Sequence, residues 1–203
     1  MRTEFNALIH EYREINKLAS QGETVFMGGT FLHDFPFAEL CRKLCVDEKI
    51  YNRSICGLSA SDAVEVYRQV VSPLKPKKLF IGLGEVEENA GFIDDYIKLI
   101  DYIKADSPGT KIMLISVFSG EVSKCRFNAD IRELAQETGV VYVDAMDKII
   151  GADGKIMEHF LSEGGQLSLS AYVTYWRRAY HYMRKSTLSY CDALSLSDAA
   201  MMW

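Results

Sequence analysis

Cysteine is scarce and carries no pairing pattern: Cys41, Cys45, Cys56, Cys125 and Cys191 are odd in number and contain no C-x-x-C. Such spacing builds neither a disulfide framework nor a zinc site, so buried free thiols are expected. H-x-x-H and D-x-D spacings are missing as well, which removes the commonest sequence signals for a metal; no metal and no cofactor is predicted. Lysine and arginine form no run long enough to track a phosphate backbone, and 23 basic against 28 acidic residues leave a net charge of −5. Nucleic acid is therefore not an expected partner. The opening MRTEFNALIHEYREINKL mixes charges with apolar positions, which fits neither a secretory signal nor a membrane span; a cytoplasmic location follows by default. Repeats and low-complexity segments are missing too.

What is present is an alternation. Short apolar runs at Thr24–Met27, Lys49–Tyr51, Lys78–Ile81, Lys111–Phe118 and Val140–Val143 read as buried strands. Helical periodicity occupies Pro36–Leu44, Ser61–Val71, Phe92–Ala105 and Val122–Glu137, with Ser59 or Ser61 as cap and Pro73 and Pro76 as stops for the second. A first helix over Arg2–Ser20 and a last over Leu169–Lys185 flank the set. This order predicts an α/β fold, a three-layer α/β/α sandwich around a five-stranded parallel sheet of flavodoxin-like type. The 203 residues suit a single domain that buries roughly 70% of its unfolded surface. In that reading 1–21 is the N-terminal helix, 22–186 the core, and 187–203 a small-residue-rich tail that packs on the body or on a second copy.

Ligands of such sheets bind beyond the carboxyl ends of the strands, which selects 28–35, 54–59, 82–88 and 116–120 and the loop before the last helix. Four segments fall in these loops: VFMGGT at 25–30, NRSICG at 52–57, IGLGE at 81–85 and EGGQLS at 163–168, the last running into SAYVTYW. In order, spacing and flanks they resemble the four blocks of the SGNH/GDSL hydrolase family, which reads Gly-Asp-Ser, a glycine, Gly-x-Asn-Asp and Asp-x-x-His. The resemblance implies that fold, and an ester site with the nucleophile at Thr30, the acid at Glu163 and the base at Gln166. It implies oxyanion donors at the backbone of Thr30, at Gly57 and at Gly84. Only Gly57 matches outright.

The substitutions bear on chemistry. Thr30 keeps a hydroxyl, although threonine after Gly-Gly also suits a turn or helix cap. Gln166 cannot take a proton near neutral pH, so Glu163 has no base to orient and reads equally as an exposed loop carboxylate. Gly84 removes a donor, and Gly57 serves a tight turn as readily as an oxyanion. His33, beside Asp34, and His159 are the alternative bases, each also readable as an ordinary loop histidine. Glu85, Glu87 and Glu88, with His33, could supply a displaced base or a metal site but read first as surface loop carboxylates, and the stripe Tyr172, Tyr175, Trp176 and Ala179 reads as the packed face of the last helix. Two functions follow. The favoured one is a catalytically degenerate member of the family, with a small acyl- or acetyl-ester-like ligand or a protein partner at the former ester site; self-association into a homo-oligomer is a further option. The alternative is an active acyl or acetyl ester hydrolase using Thr30 with a non-standard base.

Overall fold

In the computed structural model the residues described are 3–87, 90–118 and 127–184. Five strands, β1 (Thr24–Gly28), β2 (Ile50–Asn52), β3 (Lys78–Gly82), β4 (Lys111–Ile115) and β5 (Val141–Val143), pair in parallel in the order β2-β1-β3-β4-β5. Alternation of side chains sends Val25, Met27, Leu79, Ile81, Ile112 and Leu114 into one core, and Phe26, Phe80, Met113 and Ile115 into the other. Helices α1 (Thr3–Asn16), α4 (Ala60–Val66), α5 (Phe92–Asp106) and α6 (Phe127–Thr138) close the first face; α2 (Thr30–His33), α3 (Phe37–Lys43) and α7 (Leu169–Arg184) close the second. The predicted three-layer α/β/α arrangement is the observed one.

Differences from the sequence reading have local causes. α1 stops at Asn16 instead of Ser20, because the N–H groups of Lys17, Leu18 and Ala19 bond three residues back in a tightened last turn. The Asn16 side chain instead accepts from Arg53 Nε at 2.8 Å and donates to the Val70 carbonyl at 2.7 Å. β4 stops at Ile115 instead of Phe118, since both backbone groups of Val117 pair with the Asn128 side chain. Ser59 occupies the N-cap of α4 but its hydroxyl makes no cap bond; Glu87 Oε1 accepts from the Ala60 N–H at 2.8 Å. Past Val66 the helix widens to a π-turn, Tyr67–Val71. The expected start of the fourth helix, 122–126, and the tail 187–203 lie outside the described residues.

The last helix behaves as its stripe predicts: Tyr175, Trp176 and Ala179 are buried, and Tyr172 is half-buried. The thiols do not. Cys45 and Cys56 are exposed and Cys41 is half-buried, correcting the expectation of buried cysteines, while Cys125 and Cys191 lie outside the described residues. Among the described residues no helix is long and apolar enough to cross a membrane.

Candidate functional site

Sheet order reverses between β1 and β3, and open α/β sheets hold ligands in the crevice at such a switch point. Gly28 and Gly82 end these two strands as register partners. A Cβ on Gly28 would sit 2.3 Å from the Gly82 carbonyl oxygen, so the close approach of the strand ends requires glycine there. The chain turns at Gly29 into α2, whose first residue is Thr30. The Thr30 hydroxyl is half-buried, accepts from the Gly57 N–H at 3.1 Å and lies 3.6 Å from Cys56 Sγ. Gly57 has φ of 72°, the left-handed turn anticipated for it. Thr30 and Gly57 thus meet, as two of the four blocks require.

Glu85, the last residue of IGLGE, enters this site from below. It is only 8% exposed, which corrects its reading as a surface loop carboxylate. Its Oε2 accepts from the Phe31 N–H at 2.8 Å, while Oε1 is buried without a hydrogen-bond partner. The Thr30 N–H lies near enough to favour the charged carboxylate without completing a bond. Burial dominates, and with the Asp34 charge it outweighs those amides, pushing the Glu85 carboxyl up to about 7. Gly29 makes room for the group: a Cβ there would lie 2.9 Å from Glu85 Oε1. A side chain at residue 29 would have to displace the Glu85 carboxyl.

The remaining candidates are not assembled around Thr30. Gly84 has φ of +120°, and a Cβ on it would point at Ile131, Phe92 and Phe127, the nearest atom 3.4 Å away. An asparagine there would enter the core between α5 and α6 rather than reach the Thr30 loop. Gly84→Asn is accordingly expected to cost about 1–3 kcal/mol through its positive φ and to supply no oxyanion donor; urea denaturation with an ester assay reads both. Gln166 and Glu163 lie on an exposed hairpin closed by the Leu161–Leu167 bridge. Gln166 takes part through its carbonyl, which accepts from Ser162. Among the described residues neither side chain makes a hydrogen bond or ion pair. The hairpin runs directly into α7, whose Tyr172 and Tyr175 rings pack on Phe31, 6.3 and 4.9 Å between centroids.

Of the two alternative bases, His33 lies at the end of α2, with Nδ1 2.7 Å from Asp34 Oδ1. No hydrogen bond joins it to Thr30. His159 sits exposed on a short 3₁₀ turn, Glu158–Phe160, its ring tilted at 42° to that of Phe160. Among the described residues no three histidine, cysteine or carboxylate side chains converge as metal ligands. Cys56 is the site residue that the sequence reading missed, and Glu85, weighed there as one of several loop carboxylates, is the one whose burial it did not foresee. Cys56 could have been found as the neighbour of the one matching glycine, and Glu85 as the residue after Gly84 at the end of the third block.

No protein-family model and no curated sequence matches the chain. Solved structures do. A GDSL-like lipase from Bacteroides thetaiotaomicron superposes with a TM-score of 0.72 at 17% identity, covering 88% of this chain and 98% of that one. A Streptococcus pneumonia protein provisionally described as a platelet activating factor gives 0.73 at 20% identity, covering 88% and 92%. A catalytic mutant of an acetylxylan esterase from Geobacillus stearothermophilus gives 0.58 at 15%, covering 83% and 97%. The chain has the SGNH/GDSL hydrolase fold.

Proposed function

We propose that this protein is a catalytically degenerate SGNH-fold protein that binds a small ligand at the former ester site. The observation that carries this reading is the neighbourhood of the Thr30 hydroxyl. Among the described residues its polar neighbours are the Gly57 N–H and Cys56 Sγ, and no imidazole or carboxylate stands within hydrogen-bond reach to take its proton, which a hydroxyl nucleophile needs. The Gly57 donor is meanwhile spent on that same hydroxyl. Loss of nucleophile and base together leaves a residual acceleration of about 10³–10⁴ over water. Neighbours in fold carry the names lipase and acetylxylan esterase, which supports an ester-shaped crevice as the inherited binding place.

Hydrolysis of a short-chain p-nitrophenyl ester panel by the purified chain tests this. The expected rates are no higher than those of Thr30→Ala. Turnover abolished in Thr30→Ala would establish the second reading, an active acyl or acetyl ester hydrolase. His33 is its first candidate base, because Asp34 already orients that imidazole in the way acid–base histidines are held. Loss of the same turnover in His33→Ala would then assign the base.

A further inference from the structure

The Thr30 site is built with the opposite hydrogen-bond polarity from one that grips a carbonyl oxygen. Such a site offers donors to the developing oxyanion. Here the Gly57 N–H is held by Thr30 Oγ1 and the Phe31 N–H by Glu85 Oε2. What the site presents instead is carboxyl groups and aromatic faces.

Two carboxylates flank α2. Asp34, exposed, spends Oδ1 on His33. Glu85 is more than nine-tenths buried, and its Oε1 has no partner. Among the described residues neither is ion-paired to a lysine or arginine. Charging a desolvated carboxyl without a counter-cation costs several kcal/mol, and a cation brought beside it offsets that cost. The half-buried ring of Tyr172 stacks parallel to Phe31 at 11° and meets the edge of Phe35. The charges and rings are close enough to act on one another: Asp34 adds to the burial that raises the Tyr172 phenol, and Glu85 does the same at Tyr175.

Aromatic faces beside uncompensated carboxylates attract organic cations: a ring quadrupole holds an ammonium within about 6 Å, worth about 2 kcal/mol when desolvated. An anion would meet the Asp34 charge and keep Glu85 protonated, and a neutral ester would find the Gly57 N–H taken by Thr30 and the Thr30 N–H facing the Glu85 carboxyl. We infer that the Thr30 site takes a ligand bearing an organic cation, an ammonium on an apolar stem, with Asp34 and the Tyr172 face as its contacts and the buried Glu85 carboxyl beneath. This rests on the reading of the site as a binding place and names the class of ligand.

Cys56 provides the probe, since its exposed thiol lies beside Thr30 and exposed Cys45 serves as the reference. Alkylation of the full chain by iodoacetamide would be followed by peptide mass spectrometry during titration with n-butylammonium, 1-butanol, ethyl acetate or butyrate. The expected result is protection of Cys56, not Cys45, by butylammonium at a concentration at least tenfold below that needed with butanol, and none with butyrate. Asp34→Asn and Tyr172→Leu should each raise the half-protecting concentration of the cation at least fivefold. Equal protection by cation and alcohol, protection by butyrate, or no protection by any probe overturns the inference. Protection by ethyl acetate without protection by the cation overturns it while sparing the binding reading. Thr30-dependent ester turnover overturns that reading instead.

Discussion

Gly28→Ala is expected to destabilise the protein by about 3–5 kcal/mol, at the upper end of single-substitution effects, read as a lower urea midpoint with unchanged slope. The added methyl would stand 2.3 Å from the Gly82 carbonyl oxygen and 2.8 Å from Leu32 Cδ1. Leu32 is a side chain and can turn; a backbone carbonyl within the β1–β3 ladder cannot move without parting the strands. Overpacking relieved by side-chain motion usually costs about 1–3 kcal/mol, so the backbone obstacle sets the larger figure. Gly109→Ala is the matched control. Nothing lies within 4 Å of a Cβ there and its φ is ordinary, so the change should be neutral or stabilise by up to about 1 kcal/mol through the unfolded chain. A Gly28→Ala variant as stable as that control would mean that the strand ends are not packed as described.

The same junction shows why the fold was legible in the sequence while the site was only partly so. Strands such as Lys78–Gly82 and the Tyr175–Trp176–Ala179 stripe announce themselves because burial follows periodicity, and periodicity is written in residue types. Resemblance placed Thr30 beside Gly57, since both sit at strand-exit loops that the sheet order forces together. Gly84 was different. Aligned with an asparagine by order alone, it has a backbone whose φ of +120° aims any side chain toward Ile131 and Phe92, and the sign of φ is not visible in a residue name. Glu85 was hidden for a related reason. A glutamate in a loop reads as exposed, and its burial depends on the space that Gly29 leaves more than fifty positions earlier. The π-turn at Tyr67–Val71 left no mark either, because the apolar stripe Ala63, Val66, Tyr67, Val70 and Val71 runs straight through it.

Glu85 yields the second large effect, in the pH dependence of stability. In the folded chain burial holds its proton up to about pH 7, whereas the unfolded chain releases it near the ordinary value of 4.5. Between those values the folded state binds more protons than the unfolded state, so stability from this group is complete below about pH 4.5, falls as pH rises to about 7, and stays low above it. A separation of this size corresponds to about 3 kcal/mol. Glu85→Gln removes the titration while keeping an oxygen to accept the Phe31 N–H. It should match the parent near pH 4.5 and exceed it by about 2–3 kcal/mol at pH 8, compared by urea denaturation at both values; taking the difference cancels the titrations of all other groups. Parallel stability curves for the two proteins would show that Glu85 ionises in the folded state as readily as in the unfolded. If the variant gains as expected, the parent keeps at neutral pH a buried carboxylate that weakens it and that a single amide would relieve. Retained cost of that kind is characteristic of groups kept for binding rather than for folding. A cation bound above Glu85 would favour its charged form and offset the penalty, so butylammonium should raise stability in the parent more than in Glu85→Gln.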